Sequence, residues 1–143
     1  MVVIEQVNPA EYCGRLAELY YLHGREVVGE DFNLNFTHFA DAFRSGAYRL
    51  FVARDGYNNV GYCVFSVYND LLMRHKRTAE CGAIYVKPEY RLRHAVRLIK
   101  FAELSLQAEG INRVLVHSPS DRLANLYDKL GYKYLEAVQL KEF

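Results

Sequence analysis

The sequence predicts an α/β protein with a mixed sheet and helices on both of its faces. Three observations lead there. Two strand-like runs, 48–54 and 60–68, flank DGYNN, a turn that fits an antiparallel hairpin. From Cys81 to Val86 neither alternating set is charged (Cys81, Ala83 and Tyr85, or Gly82, Ile84 and Val86), so the run 80–87 reads as a strand covered on both faces. Beyond Pro88, Leu92, Ala95, Val96, Ile99, Ala102 and Leu106 recur at helical spacing, and 112–117 reads as another strand, which makes a βαβ crossover.

The other elements follow from local chemistry. Val2 to Val7 is short and β-branched, a first strand. Asn8-Pro9-Ala10-Glu11 is a helix start, with Asn8 as cap and Pro9 at the first helical position, and the helix is expected to reach about Leu22. The stretch 24–35 reads as irregular. Phe36, Phe39, Ala40 and Phe43 form the apolar face of a second helix ending near Gly46. Residues 69–78 make a polar connection carrying Arg74-His75-Lys76-Arg77. Ser118-Pro119-Ser120-Asp121 caps a last helix with Leu123, Leu126, Tyr127 and Leu130 on one face, and Gly131 ends it. A strand over 132–140 is expected to close the order β-α-α-β-β-β-α-β-α-β.

Composition narrows the function classes. A chain of 143 residues, 51% hydrophobic and 24% charged, is read as a single globular domain, 1–143. A net charge of +1 gives no general attraction to nucleic acid. The basic run at 74–77 has no adjacent aromatic and reads as a solvated loop. Cys13, Cys63 and Cys81 have no metal-site spacing, nor have His23, His38 and His75, so reduced thiols, a cytoplasmic setting and no metal are expected. No signal peptide and no apolar stretch of the ~20 residues a membrane span needs is evident, so no membrane partner is expected.

One place suits an anion. Lys87, Arg91, Arg93, Arg97 and Lys100 cluster where a strand feeds a helix N-terminus, whose free amides and positive dipole end attract phosphate. Taken alone, these cations are the solvated face of an amphipathic helix. The segment VKPEYRLRHAVRLIKFAE, however, resembles the pyrophosphate-binding core of the GNAT superfamily of acetyl-CoA-dependent N-acetyltransferases: V-x-P-x-Y-R, then Arg/Gln-x-x-Gly-x-Gly/Ala. SDRLANLYDKLGYKYLE resembles that family's C-terminal signature, a helical Tyr before Leu-Gly-aromatic. Order and spacing also match, over nearly the whole chain. Arg91 falls on the leading Arg/Gln, whereas His94 and Val96 stand where the family has glycine.

The resemblance implies a GNAT-like fold in which the parallel strands 80–87 and 112–117 splay apart and acetyl-CoA, the co-substrate, wedges between them. It implies pantetheine contacts to the backbone of Ile84, Tyr85 and Val86. Diphosphate contacts would come from Arg91, Arg93, His94, Ala95, Val96 and Arg97. Tyr127 matches the helical Tyr that protonates the departing thiolate; read without the family, it is one more member of an apolar stripe. A base is needed because an amine is protonated at neutral pH. Glu80 on the central strand is the first candidate and His117 the second, while Glu26, Glu30 and Asp31 lie in the loop that lines the acceptor side. The implied reaction is acetyl transfer to a primary amine, on a small molecule or a protein, by direct attack in a ternary complex. The alternative is a GNAT scaffold that has lost activity and serves in binding or structure, for which the His94 and Val96 replacements and a short C-terminus are the motive. That short C-terminus leaves a sheet edge to cover, and a homodimer through the C-terminal strand is expected to cover it.

Overall fold

A computed structural model describes every residue except Asn33 and Asn35. Among the described residues five strands form one sheet in the order β1-β2-β3-β4-β5: β1 Val2–Val7, β2 Tyr48–Asp55, β3 Asn58–Asn69, β4 Arg77–Val86 and β5 Arg113–Leu115. The first four are antiparallel in succession, and β5 joins β4 in parallel. The mixed sheet and the hairpin at 55–58 agree with the sequence reading.

The helices cover both faces, as expected. On one side lie α1 (Pro9–Tyr12), α2 (Ala17–His23) and α3 (Phe36–Arg44); on the other lies α4 (Arg93–Ala108), and α5 (Asp121–Lys129) follows β5. Leu16, Leu19 and Tyr20 pack with Leu50, Val52, Tyr62 and Tyr85 on the first face. Leu98, Ala102 and Leu106 of α4 pack with Phe51, Cys63, Phe65 and Cys81 on the second. Both faces of the central strands are therefore apolar, which is why those strands show little polar alternation. Among the described residues, no helix is long and apolar enough to cross a membrane, no cluster of His, Cys, Asp or Glu has a metal-like grouping, and the three thiols are free and buried.

Three expectations are corrected. The first helix is not one element to Leu22: after α1 it tightens into a 3-10 turn at Cys13–Leu16, resumes as α2, and widens into a π turn at Gly24–Val28. Asn8 caps it as expected, its side chain accepting from the Ala10 and Glu11 amides at 3.0 and 3.3 Å. The π turn ends at Gly29, left-handed at φ 85°, and folds back so tightly that a Cβ on Gly24 would lie 2.7 Å from the Glu30 carbonyl.

Second, the sheet face of Cys81 differs from simple alternation. β3 pairs Val64 with Ala83 and Phe65 with Cys81, so Gly82 is an extra residue, a bulge in β4. Cys81 therefore joins Ala79, Ile84 and Val86 on the α4 face, and Ala83 and Tyr85 turn to the α2 face.

Third, the expected strand 132–140 is not formed. Tyr132 is held, its amide donating to the Tyr127 carbonyl at 3.0 Å and its hydroxyl to Glu103 at 3.0 Å. Beyond it, residues 133–143 form no strand and stay exposed. A strand needs a partner edge, and β5 offers three residues.

Candidate active site

The site begins where the β4–β5 ladder stops. Only Thr78, Ala79 and Glu80 of β4 pair with Arg113, Val114 and Leu115 of β5. From Cys81 to Val86 the β5-side edge of β4 has no ladder partner among the described residues, and Gly82 bulges two residues past the last rung. Strands that run together and then part leave backbone donors and acceptors facing a wedge, the geometry an extended ligand needs to add itself as a strand.

Glu80, on that last rung, sits beside His117, with Oε2 at 3.4 Å from Nε2. Its Oε1 accepts from the Tyr68 hydroxyl at 2.8 Å. The register explains this contact: Tyr68 lies opposite Thr78 and Ser66 opposite Glu80, so the phenol reaches Glu80 across the diagonal. Burial first, and then the Glu80 bond and charge, push the Tyr68 phenol upward, which keeps it a donor. The two bases singled out in the sequence are thus together. Tyr68 was missed, because only the register reveals it.

Tyr127 lies across β4 from this pair. Its ring is 5.1 Å from that of Tyr132, which reaches Glu103 of α4, and its phenol is pushed upward by burial and by the nearby Cys81 and Cys63 thiols. Glu80, in step with Thr78, points to the α2 face. Proton-accepting and proton-donating candidates therefore flank the open edge of β4 from opposite sides.

The start of α4 is uncapped by any side chain. Leu92 caps the helix with φ 65° and ψ −89°, a strained conformation for an L-residue, and makes no side-chain cap bond. The first intrahelical bond runs from the Val96 amide to the Leu92 carbonyl at 3.1 Å, so the amides of Arg93, His94 and Ala95 stand at an uncapped helix mouth. The His94 ring does not enter the fork. It leans toward Tyr90 at 6.1 Å and accepts from Arg97 Nη1 at 3.0 Å, while Arg97 Nη2 donates to the Val2 carbonyl at 3.0 Å. Arg93 is exposed. An uncapped helix start beside an open strand has the chemistry to take a diphosphate joined to an extended arm.

On the α2 face a cleft of about 430 Å³ is lined by Glu18, Leu22, Arg25, Glu26, Tyr85, Lys87, Pro88 and Glu89. Glu26 accepts from the Tyr85 hydroxyl at 2.8 Å and pairs with Arg91. Burial opposes ionisation of Glu26, but the bonds from Arg91 and Tyr85 outweigh it and hold the carboxyl below its usual range. Arg25 binds Asp31 at 2.7 Å, whereas Glu30 is exposed. Behind the cleft, His23 stacks on Tyr85 at 5.2 Å, and a 2.6 Å hydrogen bond joins its Nδ1 to the Tyr62 hydroxyl. Burial lowers the His23 pKa against the opposing pull of Glu26.

Similarity to other proteins agrees with this geometry. Residues 16–132 match the model of the acetyltransferase (GNAT) family. A search of curated proteins finds no significant match. Among solved structures the chain resembles a ribosomal-protein-alanine N-acetyltransferase from Brucella melitensis biovar Abortus 2308, at 15% identity and TM-score 0.76, covering 100% of this chain and 99% of that one. It resembles an aminoglycoside acetyltransferase from an uncultured soil metagenomic sample, in complex with sisomicin, at 14% identity and TM-score 0.80, covering 99% and 95%. It also resembles a predicted acetyltransferase with acetyl-CoA from Clostridium acetobutylicum, at 12% identity and TM-score 0.77, covering 99% and 96%. The fold is that of acetyltransferases. The chain belongs to the acetyltransferase (GNAT) family and is, by that membership, an acyltransferase.

The buried imidazole gives a stability test. Because the folded His23 pKa lies below its ordinary value of about 6.5, the unfolded chain binds the proton first as pH falls. His23 contributes its full stability above that value and loses it progressively below, by at most about 1.4 kcal/mol per pH unit. Urea unfolding between pH 7.5 and 5.5 should show this slope, and His23→Gln should flatten it.

Proposed function

We propose that this chain is a single-domain N-acetyltransferase that moves an acetyl group from acetyl-CoA to a primary amine by direct attack in a ternary complex. The observation that carries the reading is the fork: β4 loses its β5 partner after Glu80 and bulges at Gly82, next to an uncapped α4. Acetyl-CoA supplies the activated acetyl group. The backbone of Ile84, Tyr85 and Val86 holds the extended arm and polarises the carbonyl, a preorganised donor set in place before reaction. The amides of Arg93, His94, Ala95 and Val96, with the side chains of Arg91, Arg93 and Arg97, bind the diphosphate.

The amine enters from the α2 face. Glu80 and His117 take the ammonium proton there, since only the neutral amine attacks. Tyr127, on the α4 side, gives a proton to the departing sulfur. Cys81 is the thiol nearest the fork, and burial pushes it up to about 12; Cys63 is likewise raised by burial. Neither is a thiolate at neutral pH, which supports direct transfer over an acyl-enzyme. Three buried free thiols also suit a cytoplasmic location.

The acceptor is a small-molecule or protein amine, chosen by the cleft beneath the π turn. The homodimer is also retained, now through the unpaired C-terminal segment. Tyr134, Val138 and Leu140 are 83, 77 and 82% exposed there, and a second copy would cover them. Sedimentation velocity should then show a dimer at micromolar concentration, and a monomer would remove it.

Two measurements test the reaction. Acetyl-CoA at 100 times its Kd should stabilise the fold by about 2.7 kcal/mol, read as a Tm rise of several degrees. No shift at millimolar acetyl-CoA would instead assign an inactive scaffold. Tyr127→Phe should lower kcat by about a hundredfold with little change in acetyl-CoA affinity; an unchanged kcat would take Tyr127 out of the reaction.

A further inference from the structure

Arg91 leads the anion-binding segment, yet its guanidinium is already engaged. Nε donates to the Val86 carbonyl at 2.9 Å, Nη2 pairs with Glu26, and the group lies over the Tyr85 ring at 5.5 Å. The partner carboxylate comes from the π turn, and Tyr85 fixes its second oxygen at 2.8 Å. Lys87 is similarly drawn away, to Glu18 of α2 at 3.2 Å. Two of the cations at the β4–α4 junction, Lys87 and Arg91, are thus held by the acceptor side of the molecule. Arg91 stands one residue before Leu92, the N-cap of α4, so its side chain is anchored beside the helix start while its guanidinium is held at Glu26.

Resting on the acetyl-CoA reading, we infer that Glu26 is a positioning residue for the diphosphate site, holding Arg91 on the acceptor side until the diphosphate takes it. The two anions compete for one cation. When the diphosphate wins, Glu26 keeps Tyr85 but loses its counter-ion, and the cleft beside Glu18, Leu22 and Arg25 becomes more acidic. A cationic amine then meets a free carboxylate at Glu26 once the diphosphate has taken Arg91.

The sign of one substitution separates this role from a structural one. Calorimetric titration with acetyl-CoA, at fixed ionic strength, compares the unmodified chain with Glu26→Gln, Arg91→Gln and the double variant. Glu26→Gln should bind acetyl-CoA roughly two- to fivefold more tightly, the strength of a partly exposed ion pair given up by its rival. Arg91→Gln should bind more weakly, and adding Glu26→Gln to it should restore nothing. If Glu26→Gln does not fold, Glu26→Asp, which keeps the charge but draws it back from the guanidinium, should show a smaller gain. Unchanged or weaker binding by a folded Glu26 variant overturns the inference and leaves the acetyl-CoA reading standing. Failure of all the proteins to bind acetyl-CoA overturns both.

Discussion

The structure depends on one missing set of hydrogen bonds. β4 is paired with β3 from Arg77 to Val86 apart from the bulged Gly82, but β5 accompanies it for only three residues. Had the parallel ladder continued, the backbone from Cys81 to Val86 would be satisfied inside the sheet and nothing could enter between the strands. The bulge at Gly82 makes the interruption abrupt. It rotates the strand, so that the two residues either side of it, Cys81 and Ala83, serve different faces of the core. A bulge costs a ladder position, and the two apolar layers packed above and below β4 offset that cost.

Around this opening the two layers divide the labour. The α2 side of the sheet carries carboxylates, two imidazoles and phenols: Glu26, His23, Tyr62 and Tyr85 in one connected group, with Tyr68, Glu80 and His117 nearer the fork. The α4 layer is apolar against the sheet and offers backbone amides at its end. Burial keeps the Tyr85 phenol protonated, pushed up to about 12, and its bond to Glu26 works in the same direction. The α2 layer is therefore a network of fixed donors and acceptors rather than a set of free charges.

Much of this was legible in the sequence. The Asn8 and Ser120 caps, the hairpin, the long amphipathic helix and the crossover all announce themselves through local rules, and the structure places them within a few residues of expectation. The convergence of Glu80 and His117 followed from placing both near the fork. What escaped were features set by tertiary pairing. A bulge leaves no mark in the pattern when both faces are apolar, so simple alternation assigns Cys81 and Ala83 to one side. The Tyr68 contact is a diagonal across a register that only the bulge fixes. The segment after Gly131 has strand-like residues, but strand character there waits on an edge to join. Arg91 read as a free cation because the carboxylate that holds it is 65 positions away in the chain, in a turn that looked irregular.

The back-folded π turn also limits how this molecule can diversify. At Gly24 the chain crosses so close to the Glu30 carbonyl that only a hydrogen fits, so the path of the loop from Gly24 to Glu30 is fixed by steric contact. New specificity on that side must come by exchanging side chains that project from a rigid frame, at Leu22, Arg25 or Glu18. Re-threading the loop would first break the contact that holds it shut.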